Sequence, residues 1–181
     1  SALPLGTWSM EEIVDVQTLV PMSPEDVVDA LNQVTPTGLH FLRGECREKG
    51  SRKISTSIAA SLYHIRLPET VQADTLSSLI REKLGQKEWC VERKSRKSGR
   101  MMEINLLECI ARIELVDREI LDEMVPEARS QGGVTLELEL REGTGAHVRP
   151  EMVVTYLLDQ KFDDALILSL IHISEPTRRP I

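Results

Sequence analysis

Five cations fall within eight residues: Arg93, Lys94, Arg96, Lys97 and Arg100, with no acid among them. A second basic stretch places Arg47, Lys49, Arg52 and Lys53 around Glu48. Lysines and arginines at this density suit contact with phosphates, because each neutralised phosphate releases condensed counterions. The two loops read as a contact surface for RNA or for an acidic partner. The competing reading is a solvated hairpin tip, charged for solubility and for protection of a sheet edge. A third feature is Gly143-Thr144-Gly145-Ala146-His147-Val148-Arg149-Pro150-Glu151, a glycine-containing turn into a helix. Backbone N–H groups at a helix start attract anions, and Arg149 could add a fork of donors. The plainer alternative there is a hairpin exit followed by a helix cap.

Other chemistries find no pattern. The turn before Arg149 lacks the P-loop spacing and does not match GxGxxG, and GxSxG is absent. Cys46, Cys90 and Cys109 are separated by 44 and 19 residues, which gives neither a metal-ligand pair nor a disulfide scaffold. His40, His64 and His147 stand far apart and read as structural or solvated, and the many carboxylates nominate no general acid.

The elements that carry these residues follow from periodicity and punctuation. Residues 11–19 are rich in β-branched side chains and read as a strand. Ser23-Pro24-Glu25-Asp26 starts a helix with a cap, a first-turn proline and two acids, and Val27, Leu31 and Val34 share one face until Pro36-Thr37-Gly38 ends it. Residues 39–46 read as a strand, 47–53 as a loop, and 54–60 as either a short helix or the approach to a strand. Tyr63, Ile65 and Leu67 alternate with His64 and Arg66 as a half-buried strand. Leu76, Leu79, Ile80 and Leu84 form a helical stripe closed by Gly85. Residues 88–94 and 101–107 flank the basic turn as a hairpin with Gly99 at its turn, and Trp89 reads as close to the tip. Residues 110–116 form another strand, and 117–132 read as acidic and irregular. Val134, Leu136, Leu138 and Leu140 face inward on the clearest strand, with Thr135, Glu137, Glu139 and Arg141 outward; Pro150 then opens a last helix.

The expected class is α+β: two small ferredoxin-like or sandwich modules, with antiparallel sheets and helices on one face, the first module incomplete. The expected division is 1–46 for the first module, 47–60 for a linker, 61–160 for the second and 161–181 for a tail. Residues 168–178 resemble the translation of a sequencing adapter, so 168–181 are set apart as read-through; the alternative is a short apolar strand with a polar tail.

The 181 residues carry a formal net charge of −7, with 41% apolar and 28% charged residues, the balance of a globular protein. Without residues 168–181 the charge is −8, and once the +5 and +3 of the two loops are set aside the rest carries −16. Positive charge is therefore focused on an acidic body, which excludes a generally basic nucleic-acid coat. No apolar run approaches the roughly 20 residues of a membrane span, and no signal peptide is visible. Both point to a cytoplasmic protein.

Ala2-Leu3-Pro4-Leu5-Gly6-Thr7 with Glu12-Ile13-Val14-Asp15-Val16 resembles a segment of the radical-SAM-linked protein family, a bacterial family described by a domain of unknown function. Residues 26–42, 93–106 and Gly145 to Glu151 agree in order, so the resemblance spans nearly all of residues 2–158. Where the family tends to Asp-Ile-Arg-Pro, this chain has Asn105-Leu106-Leu107-Glu108. Members carry a further N-terminal part, so the chain is expected to be a fragment. The resemblance implies an accessory or substrate-binding domain that is not itself catalytic, working with a radical SAM enzyme fused to it or encoded nearby. The iron–sulfur cluster and S-adenosylmethionine would belong to that partner, and this chain would carry no cofactor. RNA is the expected substrate class on the strength of the two basic loops. The competing expectation is an RNA-processing or RNA-modifying enzyme whose catalytic residues lie in the additional N-terminal part.

Overall fold

The computed structural model describes residues 7–10, 12–48, 50–51, 58–94, 99–124, 132–142, 148–159 and 166–174. The chain divides into two compact units, one of residues 13–55 and one that joins 1–12 to 56–181.

The smaller unit is built around α1 (Pro24–Val34). Its start is the one its residues dictate: Ser23 Oγ accepts a hydrogen bond from the Asp26 N–H at 3.1 Å, with proline in the first turn. Of the two flanking segments read as strands, neither the described residues 12–19 of 11–19 nor 39–46 forms a strand. β-branched composition favours a strand only where a neighbour completes the ladder. Here Asn32 takes both backbone groups of Phe41 instead, with Nδ2 donating to its carbonyl at 2.9 Å and Oδ1 accepting from its N–H at 2.8 Å. Val14, Val16 and Val34 remain exposed, so the helical face expected through Val27, Leu31 and Val34 is covered only in part.

The larger unit contains β1 (Thr7–Ser9), β2 (Ile58–Arg66), α2 (Ala73–Leu84), β3 (Cys90–Lys94), β4 (Met101–Asn105), α3 (Leu106–Cys109), β5 (Ile110–Val116), α4 (Arg118–Met124), β6 (Thr135–Arg141), α5 (Pro150–Leu158) and β7 (Leu166–Ser174). Five strands form a sheet in the order β1-β7-β2-β6-β5, and β3 and β4 form a separate two-stranded ribbon. β1 and β7 run parallel; all other pairs are antiparallel. The class is α+β, as expected. Residues 166–174 of the C-terminal segment take strand form and lie between β1 and β2. Residues 118–124, read from sequence as irregular, are helical.

The period-2 alternation places the core. Ile65 and Leu67 after β2, Leu136, Leu138 and Leu140 of β6, and Ile110 and Ile113 of β5 bury against Leu76 and Ile80 of α2 and Val153, Val154 and Leu157 of α5. The opposite face of β6 is not open to solvent as its polar residues suggest: Thr135 is 1% exposed and Glu137 8%. β6 lies between β2 and β5, and central strands are covered on both faces more readily than edge strands.

One glycine is obligatory for the turn into β6. Gly133 has φ +107, and a Cβ there would collide with the Leu67 carbonyl oxygen. The close approach lets the Leu67 N–H donate to the Val134 carbonyl at 2.9 Å, which extends the β2–β6 pairing past the strand end.

Candidate functional site

The β3–β4 ribbon is in register from Cys90↔Asn105 to Lys94↔Met101. Its outer rungs are Arg93↔Met102 and Lys94↔Met101, with Arg100 directly beyond, so three of the five hairpin cations gather at one end. Gly99 in the turn has φ +67, the left-handed conformation that glycine adopts without strain. Met101 and Met102 are 58% and 50% exposed. The next rung inward sets Glu92 directly opposite Glu103, both exposed. The cationic end is therefore bounded by an acidic step. Arg96 and Lys97 lie outside the described residues.

The base of the ribbon is locked to the core, and here the expectation for Trp89 is corrected. Trp89 is fully buried rather than close to the tip. Its ring stacks on Tyr156 at 5.3 Å between centroids, and its indole N–H donates to the Lys83 carbonyl at 2.6 Å. A large aromatic surface next to the α2–α5 core is more stable inside than at a charged tip. Asn105 fixes the other strand: its Oδ1 accepts from the Trp89 N–H at 2.9 Å and from the Leu107 N–H at 3.2 Å, capping α3. That polar cap ends the strand two residues before the boundary read from sequence. Arg141 Nη1 then donates to the carbonyls of Glu108 and Ile110 at 3.2 and 3.0 Å, holding the α3–β5 junction. Beside the ribbon base the Cys90 thiol is pushed above its usual pKa, first by desolvation and then by its hydrogen bond to Glu103 and the charges of Glu103 and Glu88.

Of the second basic stretch, Arg47 is exposed and belongs to the 13–55 unit, whereas Lys49, Arg52 and Lys53 lie outside the described residues. Arg149 is exposed at the N-cap of α5, where its carbonyl accepts from the Met152 N–H at 3.0 Å. Its side chain makes no capping bond, and Glu151 already supplies negative charge in the first helical turn.

A second constellation was not anticipated. On the sheet face opposite the core, β2, β6 and β5 bring His64, Glu137 and Glu114 into one row, with Arg112 and Glu139 in the next. His64 Nε2 lies 2.6 Å from Glu137 Oε2, and Arg112 Nη2 lies 2.6 Å from Glu137 Oε1. Arg112 also reaches Glu114 at 2.9 Å and Glu139 at 3.6 Å. Further along the face, Arg66 Nη2 donates to Asp122 Oδ1 of α4 at 2.5 Å, and Arg66 Nη1 to the Gly133 carbonyl at 3.4 Å. His64 Nδ1 and Thr135 Oγ1 are buried without a hydrogen-bond partner. The signal for this cluster lay in the polar halves of three alternating strands, whose charges are complementary. It becomes legible only when sheet order and register are known.

On the core side, Tyr63 is half-buried, and its phenol pKa is raised above the usual value. Desolvation is the main cause; the hydrogen bond with Ser61 opposes it, and the charges of Glu142, Glu12 and Glu151 add to it. Ser61 in turn donates to Glu142 at 2.9 Å. A raised native pKa favours the neutral phenol, so this contribution is complete below the unfolded value of about 10 and is lost as pH climbs through the native value. Unfolding free energy is therefore expected to fall as pH rises above about 10, and Tyr63→Phe is expected to flatten that fall. Denaturant titrations of both proteins across the alkaline range check this; identical slopes would contradict it.

Among the described residues, no group of three His, Cys, Asp or Glu side chains is placed to hold a metal ion, and no helix is long and apolar enough to cross a membrane. No curated protein and no solved structure matches the chain. A family model does match, over residues 1–150, under the description "Uncharacterized protein conserved in bacteria (DUF2344)". With that match covering most of its 181 residues, from the N-terminal motif to the start of α5, the chain belongs to this bacterial family.

Proposed function

We propose that this protein is a binding module, not itself catalytic, that holds an RNA for a radical SAM enzyme fused to it or encoded beside it. The observation that supports the reading is the outer end of the β3–β4 ribbon, where Arg93, Lys94 and Arg100 lie close along the chain beyond the Glu92–Glu103 rung. On a chain of net charge −7, such a concentrated patch attracts a phosphate backbone locally while the rest of the surface repels it. In this reading the cations of residues 47–53 are a separate candidate contact on the other unit. The partner enzyme supplies the iron–sulfur cluster and S-adenosylmethionine, and this chain supplies the grip on the substrate.

The test is RNA affinity of the full chain measured against salt, for the native sequence and for Arg96→Glu with Lys97→Glu. The double reversal is expected to lower affinity at least tenfold and to reduce the salt slope by about two. Unchanged affinity and slope would overturn the RNA reading. The partnership is tested separately by co-purification with the radical SAM enzyme encoded nearby; its absence from the purified material overturns that half.

A further inference from the structure

We infer that β5 is a pairing edge for a second copy of this chain. The two β5 strands meet antiparallel about a two-fold axis at Ile113, and the two five-stranded sheets become one. Nothing in the RNA reading is needed for this pairing. Three observations support it.

The first is the edge. The sheet order β1-β7-β2-β6-β5 ends at β5, which among the described residues pairs with β6 alone. A strand at the end of a sheet turns backbone N–H and C=O groups outward, a template for a further strand. The two ends of this sheet are unequal: β1 has three residues and β5 has seven. A three-residue edge is too short to template much, so β5 is the edge with something to offer.

The second is the charge along that edge. Arg112 and Glu114 share the polar face, opposite Glu139 and Glu137 respectively. One guanidinium serves three carboxylates, with Glu137 at 2.6 Å, Glu114 at 2.9 Å and Glu139 at 3.6 Å. Glu114 directly opposite Glu137 is a like-charged pair, which weakens a strand pairing. Arg112 and Glu114 are each about half exposed, so both remain open to a strand on the outer side.

The third is the register. An axis at Ile113 sets Arg112 opposite Glu114 of the second copy, Glu114 opposite Arg112 of the second copy, and Ile113 opposite its equivalent. Side chains directly opposite one another have Cβ atoms about 4.5–5.5 Å apart, within reach of a guanidinium. Each Glu114 thereby gains a second cation. Moving the axis one residue either way sets Arg112 on Arg112 or Glu114 on Glu114. Centring it between two residues joins the core face of one sheet to the polar face of the other. The sequence of the edge therefore favours one symmetric pairing. The irregularity between Ile110 and Arg112 ends the ladder a few residues from the axis. A ladder that short makes the pair reversible and dependent on concentration.

The experiment is sedimentation velocity of the full chain over a range of concentrations. The native chain is expected to shift from the mass of one chain to that of two as concentration rises. Arg112→Glu and Glu114→Arg, each alone, are expected to weaken association about tenfold or more, because symmetry places each change at two contacts. An equimolar mixture of the two variants is expected to regain the two-chain species, since each then faces opposite charges in the other. A native chain that sediments as one chain at every concentration overturns the inference. So does a mixture that stays monomeric, and association that both single variants leave unchanged places the interface elsewhere and overturns the assignment to β5. Amide hydrogen exchange of the native chain tests the same edge without substitutions. Protection at residues 112–114 is expected to rise with concentration, and protection independent of concentration overturns the pairing.

Discussion

Replacing Asp122 by alanine is expected to cost about 3–5 kcal/mol of stability, because it strips a buried guanidinium of its counter-ion. Arg66 is 1% exposed, and Asp122 Oδ1 meets its Nη2 at 2.5 Å. A guanidinium has no neutral form within reach, so the charge stays when the carboxylate goes. The neighbouring interactions define the contrast. Glu137 also sits between His64 and Arg112, but Arg112 is 47% exposed to water. Glu137→Gln should therefore cost only about 1–2 kcal/mol. Arg112 and Glu114 are both about half exposed, and their pair should contribute less than about 1 kcal/mol. Urea unfolding of the three variants is expected to rank them Asp122→Ala, Glu137→Gln, Glu114→Ala. A cost below about 1 kcal/mol for Asp122→Ala would show that Arg66 is not held by that carboxylate. Replacing both partners, Arg66→Met with Asp122→Leu, should recover most of the loss, since the charge and its counter-ion leave together.

Trp89→Ala is expected to cost about 3–5 kcal/mol, a large share of the 5–15 kcal/mol that typically separates folded from unfolded chains. The indole is fully buried, stacked on Tyr156, and bonded to the Lys83 carbonyl, while Lys83 Nζ lies 4.6 Å above the Tyr156 ring. Removing it leaves a cavity between α2 and α5 and takes one donor from the Lys83 carbonyl, which keeps its bond from the Gln86 N–H at 3.0 Å. Trp89→Phe fills part of the cavity and loses only the indole hydrogen bond, so an intermediate loss is expected. Denaturant midpoints with an unchanged slope check the ranking. The consequence reaches the ribbon, since the Trp89 backbone accepts from Leu106 N–H at 2.9 Å and donates to Asn105. Trp89→Phe keeps those backbone bonds and should retain RNA affinity at a temperature where it remains folded.

Local signals were the legible ones. The start of α1, the stripe of α2, the hairpin around Gly99 and the alternation of β6 are each written in a few adjacent residues, and each forms where expected. Residues 12–19 and 39–46 were expected as strands too, yet form none, because a strand is stabilised by its neighbour and composition does not provide one. Trp89 was misplaced for a related reason. Four residues from a basic turn its sequence neighbours are charged, but its spatial neighbours are the Tyr156 ring and the end of α2.

From residue order alone came the α+β class, the positions of the cations, the helix caps and the likeness to a bacterial family, since all of these depend on residues close in sequence. Tertiary structure decided which side of each strand is dry. It set β6 between β2 and β5, buried Glu137 beside His64 and Arg66 beside Asp122, and drew the Trp89 end of the ribbon into the core while leaving Lys94 and Arg100 exposed. The physical reason is that strand order and register arise from contacts between residues far apart in the chain. A one-residue change of register would turn every one of these side chains to the other face.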